Sequence, residues 1–241
     1  MTDAPKLSIW LRPERSRRGP APGYSRAQIA RAGIVLADAD GLPAVTMRSV
    51  AKAVGAGPAS LYRYVATRDE LVELMIDQAN GEFSYDALGS GQWLIDLLTL
   101  AHQGRAIYLR HPWLLEAMGV GTPMGPNAVT YLEHALAAVS EIDASGQVKL
   151  EAIGMFSSVV RLLASTEMNQ QRAGQTARES QGSLAQYLTE VVAAGHHPHL
   201  AAALAVQPAR GKASRPGTLF DRTLTRILTG LLQTHRRRTA G

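Results

Sequence analysis

The sequence lacks cysteine altogether and contains no long run of uncharged apolar residues. Its 241 residues include 0 cysteines and only 5% aromatics, although 46% are hydrophobic. Without cysteine the chain can form no disulfide, thiolate nucleophile or cysteine-type zinc site. Because no stretch reaches about 18 apolar residues and the N-terminal residues lack an apolar core, we expect neither a membrane span nor a secretion signal. The composition therefore predicts a soluble, cytoplasmic globular protein.

The sequence also lacks an even distribution of charge. The formal net charge is +5, but residues 1–68 hold 11 Lys+Arg and 4 Asp+Glu, so they carry +7 and the remainder carries −2. A basic end on a near-neutral body indicates that one end of the molecule meets a polyanion. On charge alone, this polyanion is either a nucleic acid or an anionic membrane surface.

Apolar residues recur at helical spacing, and no alternating run of β-branched residues competes with this pattern. Helix starts are predicted in the N-terminal third at Ser25, Thr46, Pro58 and Thr67. Ser25 has the capping-box spacing with Gln28, and a Gly at position 41 suits the end of the first helix. Further helices are predicted over 93–109, 113–118, 125–139, 147–168, 181–194 and 218–234, with a short one over 199–206. The chain is therefore predicted to be all-α.

Two short predicted helices, 46–54 and 58–65, are joined by Gly55-Ala56-Gly57 and follow a supporting helix. This order is typical of a helix-turn-helix unit, whose second helix enters the major groove of DNA. Leu61 and Val65 would face the core, which leaves polar and small side chains outward to contact bases and phosphates. The predicted DNA-binding residues are Arg48, Pro58, Ala59, Ser60, Tyr62, Arg63, Tyr64 and Arg68, with Arg17 and Arg18 of a flexible basic arm that spans residues 1–23. One of the arm arginines, Arg12, Arg15, Arg17 or Arg18, enters the minor groove, or the arm is only a solvated, solubilising tail.

Several sequence motifs between Tyr24 and Asp77 resemble the N-terminal domain of the TetR family of bacterial one-component repressors. They are Gly41-Leu42, Thr46-Met47-Arg48-x-x-Ala51, Val54-Gly55, Ser60-Leu61-Tyr62-Arg63-Tyr64 and Arg68-Asp69-Glu70-Leu71. The chain also resembles the tetracycline-repressor-like branch of that family in its N-terminal arm, at Trp10-Leu11-Arg12-Pro13-Glu14. The resemblance continues in the C-terminal domain, at Arg110-His111-Pro112-Trp113, Gly125-Pro126-Asn127 and Phe220-x-x-x-Leu224-x-x-Ile227-Leu228.

The resemblance implies a C-terminal domain that encloses a small-molecule pocket and forms a homodimer through its last long helices. The domains expected are a basic arm (1–23), a helix-turn-helix DNA-binding domain (24–70), a ligand-binding and dimerisation domain (71–235) and a basic tail (236–241). A broad apolar stripe over 219–232 suits a helix that packs against more than its own subunit. The implied function is a ligand-responsive repressor that binds a palindromic operator and is released by an inducer.

Ligand contacts are expected from aromatic, sulfur-containing and polar side chains on the apolar helices, since pockets combine apolar walls with a few directed polar groups. The candidates are Trp93, Tyr108, Trp113, Met118, Met124, Tyr131, His134, Met155, Phe156 and Arg161. The alternative for each of them is a place in the helical core without ligand contact. Arg161 either faces the ligand or pairs with an acid such as Glu133. At the two positions where the tetracycline repressor uses a His and a Glu for a magnesium–drug complex, this chain has Gly119 and Leu163, so no metal or other cofactor is expected.

No catalytic motif is present: the sequence contains no Gly-rich phosphate loop, no Gly-x-Ser-x-Gly and no metalloprotease helix. We therefore predict that the protein is not an enzyme. His196, His197 and His199 have no nearby carboxylate and no established metal spacing. Two other readings remain: a helical enzyme or ligand carrier whose basic domain is incidental, and a DNA-packing protein that takes no ligand. The size of the second domain argues against the latter, because such proteins need no cavity.

Overall fold

The computed structural model describes residues 8–12, 23–118, 123–205 and 216–233, except for the side chains of 175–181, 216–218 and 233. In these ranges every regular element is helical, which confirms the all-α prediction. The α-helices are α1 (Arg26–Asp40), α2 (Met47–Ala53), α3 (Pro58–Leu61), α4 (Arg68–Asn80), α5 (Trp93–Arg110), α6 (Trp113–Ala117), α7 (Pro126–Ala138), α8 (Gly146–Ala193), α9 (Pro198–Ala205) and α10 (Pro216–Gln233).

The first two helices begin with the side-chain caps that the sequence predicts. At α1, the Ser25 hydroxyl accepts from the amide of Gln28, and the Gln28 side chain accepts in return from the amide of Ser25. At α2, Thr46 accepts from the amide of Ser49 in the same way. Gly41 ends α1 at a φ of 80°, where a residue with a Cβ would be strained. Local capping chemistry therefore positions the two helices that precede α3.

The third helix is shorter than the predicted span of 58–65. Regular α-helix ends at Leu61, and the amides of Arg63 and Tyr64 then bond three residues back, to Ser60 and Leu61. This tighter pattern is typical of the last turn of a helix. Val65 still reaches the core because its amide bonds four residues back to Leu61, and both of these side chains are fully buried.

Residues 8–12 differ from the prediction of an arm without contact to a core. Ile9 lies in a short 3₁₀ turn (Ile9–Leu11) and is 1% exposed, within the cluster formed by α1 and α4. The Arg26 guanidinium donates to the carbonyls of Ile9 and Arg12, and Arg12 forms an ion pair with Glu70. The sequence pattern did not reveal this anchor because one buried isoleucine has no periodicity. Arg17 and Arg18 lie outside the described residues.

A second core forms where α5, α7, α8 and α10 pack together. Leu97 and Leu100 of α5 meet Phe156 of α8, and Leu224 and Leu228 of α10 lie against them, all buried. The helices predicted over 147–168 and 181–194 are parts of α8, which has one non-helical residue, Gly174, at φ 49°. Within the described ranges, no helix combines the length and apolar character needed to cross a membrane.

The predicted apolar stripe of α10 divides between two faces. Phe220, Leu224, Leu228 and Leu232 point into the core, whereas Leu219 is 56% exposed. The remaining members, Thr223, Ile227 and Leu231, are half-buried at the edge between these faces. The helix thus has more apolar surface than its own subunit covers.

Candidate functional site

The segment from Pro58 to Tyr64, called here the reading surface, projects from the small N-terminal helical unit. Leu61 and Val65 anchor it, and the side chains between and before them point outward. Pro58, Ala59, Tyr62 and Arg63 are exposed, and Ser60 and Tyr64 are half-buried. Among the described residues, none forms a hydrogen bond or ion pair with the Arg63 side chain. The surface therefore presents hydroxyl, methyl and guanidinium groups to the solvent.

The two flanking arginines of the prediction have different surroundings. Arg48 is exposed on α2, beside the reading surface. Arg68, in contrast, donates from Nε to the carbonyl of Val45 at 2.8 Å and from Nη2 to the carbonyl of Leu42 at 2.9 Å. Its guanidinium therefore holds the connection between α1 and α2 against the start of α4, a positioning role that the sequence analysis did not foresee.

The turn before the reading surface is held by side chains from α1 and its approach. Gly55 has a φ of 74°, and its carbonyl accepts from the Tyr24 hydroxyl at 2.9 Å. On the other side, Arg26 Nε donates to the carbonyl of Tyr64 at 3.2 Å. These long-range bonds fix both ends of a segment that is too short to be stable as an isolated helix.

A cavity of about 320 Å³ lies in the C-terminal helical unit, called here the apolar cavity. Most of its wall is apolar, and it lies within the size range of small-molecule sites. It is lined by Asn80, Phe83, Leu100, Ala101, Gly104, Tyr108, Met118, Met124, Ala128, Tyr131, Leu132, Leu150, Ile153, Gly154, Ser157, Ser158, Val160 and Arg161. Of the predicted ligand residues, Tyr108, Met118, Met124, Tyr131 and Arg161 are therefore brought together here.

Three polar side chains in the wall of the apolar cavity have defined partners. The hydroxyls of Tyr131 and Ser157 lie 3.1 Å apart, and Arg161 Nη1 donates to the carbonyl of Met118 at 3.0 Å. Burial raises the pKa of Tyr131 to about 12, and it also raises the pKa of Tyr108, against the opposing charge of Arg161. Both phenols stay neutral well above physiological pH.

The other predicted ligand residues lie elsewhere. Trp93 and His134 line a separate groove of about 880 Å³ between α7 and the loop before α5, where His134 stacks on Tyr85 at 3.9 Å. Trp113 is buried in the N-terminal core and donates to Asp38. Phe156 is fully buried in the second core, whereas its neighbour Met155 is 53% exposed.

Sequence reasoning missed several residues of the apolar cavity, chiefly Asn80, Phe83 and the Ser157-Ser158 pair. The serines were detectable, because two adjacent hydroxyls interrupt an otherwise apolar stretch of α8. Asn80 and Phe83 gave no such signal, since they lie at and beyond the end of α4 and approach the cavity only through tertiary packing. The proposed pairing of Arg161 with Glu133 is not found among the described ion pairs.

Helix α4 connects the reading surface with the wall of the apolar cavity. Its buried Asp77 accepts from the backbone amides of Asn127 and Ala128 at 3.0 and 3.1 Å, and so caps α7 from outside that helix. Desolvation raises the pKa of Asp77, although these hydrogen bonds oppose the rise. Ala128, which donates to Asp77, and Asn80, at the end of α4, both line the apolar cavity, so this joint lies beside the cavity wall.

A second contact joins the N-terminal unit to the corner between α5 and α6. His111 is buried, with Nδ1 2.7 Å from Asp38 of α1 and Nε2 3.0 Å from Glu82. The Trp113 indole also donates to Asp38, at 2.8 Å. Each ring nitrogen of His111 thus lies within hydrogen-bonding distance of a carboxylate oxygen. The corner that leads to Met118 is thus tied to α1.

Comparison with known proteins supplies two family matches that together span most of the chain. Residues 29–75 match the model described as "Bacterial regulatory proteins, tetR family". Residues 86–235 match the model described as "Tetracyclin repressor-like, C-terminal domain". The first match contains the reading surface, and the second contains nearly all of the apolar cavity.

Similar proteins include the HTH-type transcriptional repressor DrrR1 of Streptomyces coeruleorubidus, 33% identical over 80% of this chain and 73% of that protein. An HTH-type transcriptional regulator of Saccharopolyspora erythraea is 30% identical over 55% of this chain and 56% of its own length. Among solved structures, the TetR family protein ActR of Streptomyces coelicolor, in complex with actinorhodin, has a TM-score of 0.71 and 25% identity, covering 87% of this chain and 97% of that one.

Proposed function

From the premise that the chain belongs to the TetR family of bacterial transcriptional regulators, we propose that it is a ligand-responsive repressor. It binds a palindromic DNA operator as a homodimer, and a small molecule in the apolar cavity releases it. The observation that carries this proposal is the position of α4: the helix begins beside the reading surface and ends with Asn80 in the cavity wall. DNA and ligand are thus contacted from opposite ends of one rigid element.

The DNA part of the proposal is supported by exposure and charge. The reading surface is exposed in a unit whose sequence carries +7, and Arg48 flanks it. We assign Arg63 to a base edge or phosphate, Ser60 and the tyrosine hydroxyls to phosphates or bases, and Pro58 and Ala59 to thymine methyl groups. The arginines of the arm, Arg17 and Arg18, are proposed to reach the minor groove.

The dimer part is supported by apolar surface left uncovered on α8 and α10, which pack against each other. Leu162 is 64% exposed, Met155 53% and Leu219 56%. Such residues in contact with a second copy would complete a four-helix bundle. A two-fold dimer then places two reading surfaces one turn of DNA apart, about 34 to 36 Å, which calls for a palindromic operator.

The response to ligand requires that the ligand bind better to a conformation in which the two reading surfaces no longer match the operator. The Asp77 joint supplies a physical path, because α7 and α4 both contribute to the cavity wall. A preference of about a hundredfold for that conformation corresponds to about 2.7 kcal/mol, enough to empty a modestly occupied operator. By analogy with ActR, whose structure contains actinorhodin, the cavity would accept a compound of that general kind.

The test begins by selecting operators from random duplex DNA with the full-length protein. We expect one palindromic sequence, and an affinity for it that falls steeply as salt concentration rises. A compound panel that shifts the melting temperature is then scored for release of that operator. Equal affinity for all DNA sequences would refute operator reading. Turnover of a compound without retention on DNA would favour the enzyme or carrier reading instead.

A further inference from the structure

We infer that the ligand of the apolar cavity is an organic anion, with an apolar body and an acidic group that is held by Arg161. This inference rests on the proposed function, because it takes the cavity to be the inducer site. It adds the chemical class of the inducer, because the charged side chain among the described lining residues, Arg161, is a cation. The acidic group is a carboxylate or an ionised phenol, both of which a guanidinium binds through paired hydrogen bonds.

Arg161 lies in the cavity wall, half-buried on α8. Its recorded hydrogen bond goes from Nη1 to the carbonyl of Met118, a neutral acceptor. In the described parts of the chain, no carboxylate forms an ion pair with it. The segment that follows Met118, Gly119 to Thr122, contains no acidic residue either. Among the described residues, the positive charge of Arg161 is therefore not neutralised by an acidic group.

Two other arginines of the same helical unit, both on α5, are neutralised. Arg105 forms a two-bond pair with Glu167, and Arg110 pairs with Glu82, even though Arg110 is well exposed to water. Arg161 is flanked instead by Tyr108 and by apolar side chains of the wall. A guanidinium that is partly removed from water without an anion costs folding free energy, so its presence there calls for a partner that arrives from outside the chain.

The rest of the wall defines the body of the ligand. Phe83 and Tyr131 lie 4.8 Å apart between ring centroids, and Leu100 and Ile153 add aliphatic surface. Such a wall favours fused aromatic rings or a broad hydrocarbon body over a sugar or a peptide. None of the described lining residues is a carboxylate, so a cationic drug would find no counter-charge among them.

The test compares aromatic acids with uncharged analogues of the same shape, using the full-length protein. The probes are naphthalene carboxylate and anthracene carboxylate, each paired with its amide, and binding is measured by fluorescence and calorimetry. We expect each acid to bind at least about tenfold more tightly than its amide. In Arg161→Gln this preference should disappear, because glutamine can still donate to the Met118 carbonyl but carries no charge. Binding of naphthol, measured below and above the pKa of naphthol itself, shows whether an ionised phenol can take the place of the carboxylate.

Arg172→Gln is the matched control, since Arg172 lies on the same helix but is exposed and does not line the cavity. It should keep the full preference for the acids. The inference is overturned if the amides bind as tightly as the acids, if Arg161→Gln retains the preference, or if no acid binds. These outcomes are separable from the proposed function: uncharged compounds that release the operator would leave the repressor standing without an anion site. Acids that bind through Arg161 but never release DNA would support the anion site and contradict the proposed release by an inducer.

Discussion

At the scale of single residues, Arg63 and Tyr131 occupy opposite physical environments. Arg63 is exposed on the reading surface, so its charge is available to a ligand as large as DNA. Tyr131 is half-buried in the wall of the apolar cavity, and its hydroxyl is matched to Ser157. The first side chain can be replaced with little effect on folding, whereas the second contributes to the stability of the cavity wall.

Replacing Arg63 with alanine should reduce affinity for the selected operator by about ten- to a hundredfold, since a good contact to a base edge is worth about 1–3 kcal/mol. Discrimination between the operator and scrambled DNA should fall with it. Fluorescence anisotropy at two salt concentrations measures both effects. Arg172→Ala, an exposed arginine on α8, should change neither. An Arg63→Ala protein with unaltered discrimination would remove Arg63 from the set of base-reading residues.

The Tyr131 phenol predicts an alkaline change in stability. Its pKa is raised from 10.0 to about 12, so the folded protein retains the proton after the unfolded chain has lost it. Its stabilising contribution is complete below the unfolded pKa and is lost as pH rises toward 12, at up to about 1.4 kcal/mol per pH unit. Urea unfolding on both sides of pH 10 should show that Tyr131→Phe lacks this loss. A constant difference between the two proteins would contradict the prediction.

At the scale of elements, the joint between α4 and α7 depends on close approach at Gly125. This glycine caps α7, and a Cβ placed on it would lie 2.3 Å from Asp77 Oδ1 and 2.7 Å from Trp10 Cζ2. The contact explains why the N-terminal turn, α4 and α7 meet at one point: only a residue without a side chain leaves room for the carboxylate to reach the amides of α7. The same joint is the path that we propose between cavity and DNA.

Gly125→Ala should therefore lower the free energy of unfolding by about 1–3 kcal/mol, because Asp77 and Trp10 must move to accept the methyl group. Gly182→Ala is the matched control. Gly182 lies within α8 with nothing within 4 Å of an added Cβ, so this change should be neutral or stabilising by about 0.5–1 kcal/mol. Urea titrations of the three proteins measure both changes in the free energy of unfolding. Equal midpoints for wild type and Gly125→Ala would show that Asp77 and Trp10 can move aside without loss of stability.

At the scale of the whole molecule, α8 and α10 expose apolar side chains that a monomer leaves in water. Leu162→Glu places a charge in the proposed dimer face, and it should shift the protein from dimer to monomer in sedimentation velocity experiments. Operator affinity should fall at least about tenfold, since two half-sites can no longer be bound as one unit. Val129→Glu, on α7, changes a residue that is 53% exposed outside this face and should remain dimeric. A dimeric Leu162→Glu protein would place the interface elsewhere.

Much of this architecture was predictable from the sequence, because helix caps and apolar periodicity act over a few residues. Ser25 and Thr46 started their helices as predicted, and Leu61 and Val65 were correctly expected in the core. The resemblance to the TetR family, which the comparisons confirm, also depends on a continuous stretch of chain. Local chemistry thus determined the fold class, the helix-turn-helix unit and the general function.

Only the tertiary structure decided which side chains meet. Ile9 is buried and Arg68 bonds to the Leu42 and Val45 carbonyls because distant segments fold against them, and no local pattern reports such contacts. Met155 and Phe156 are equal candidates in sequence, yet the 100° turn between neighbours on a helix places one in solvent and the other in the core. The surroundings of Arg161 have the same origin: the sequence gives its charge, but only packing leaves it without an acidic neighbour among the residues that the structure describes.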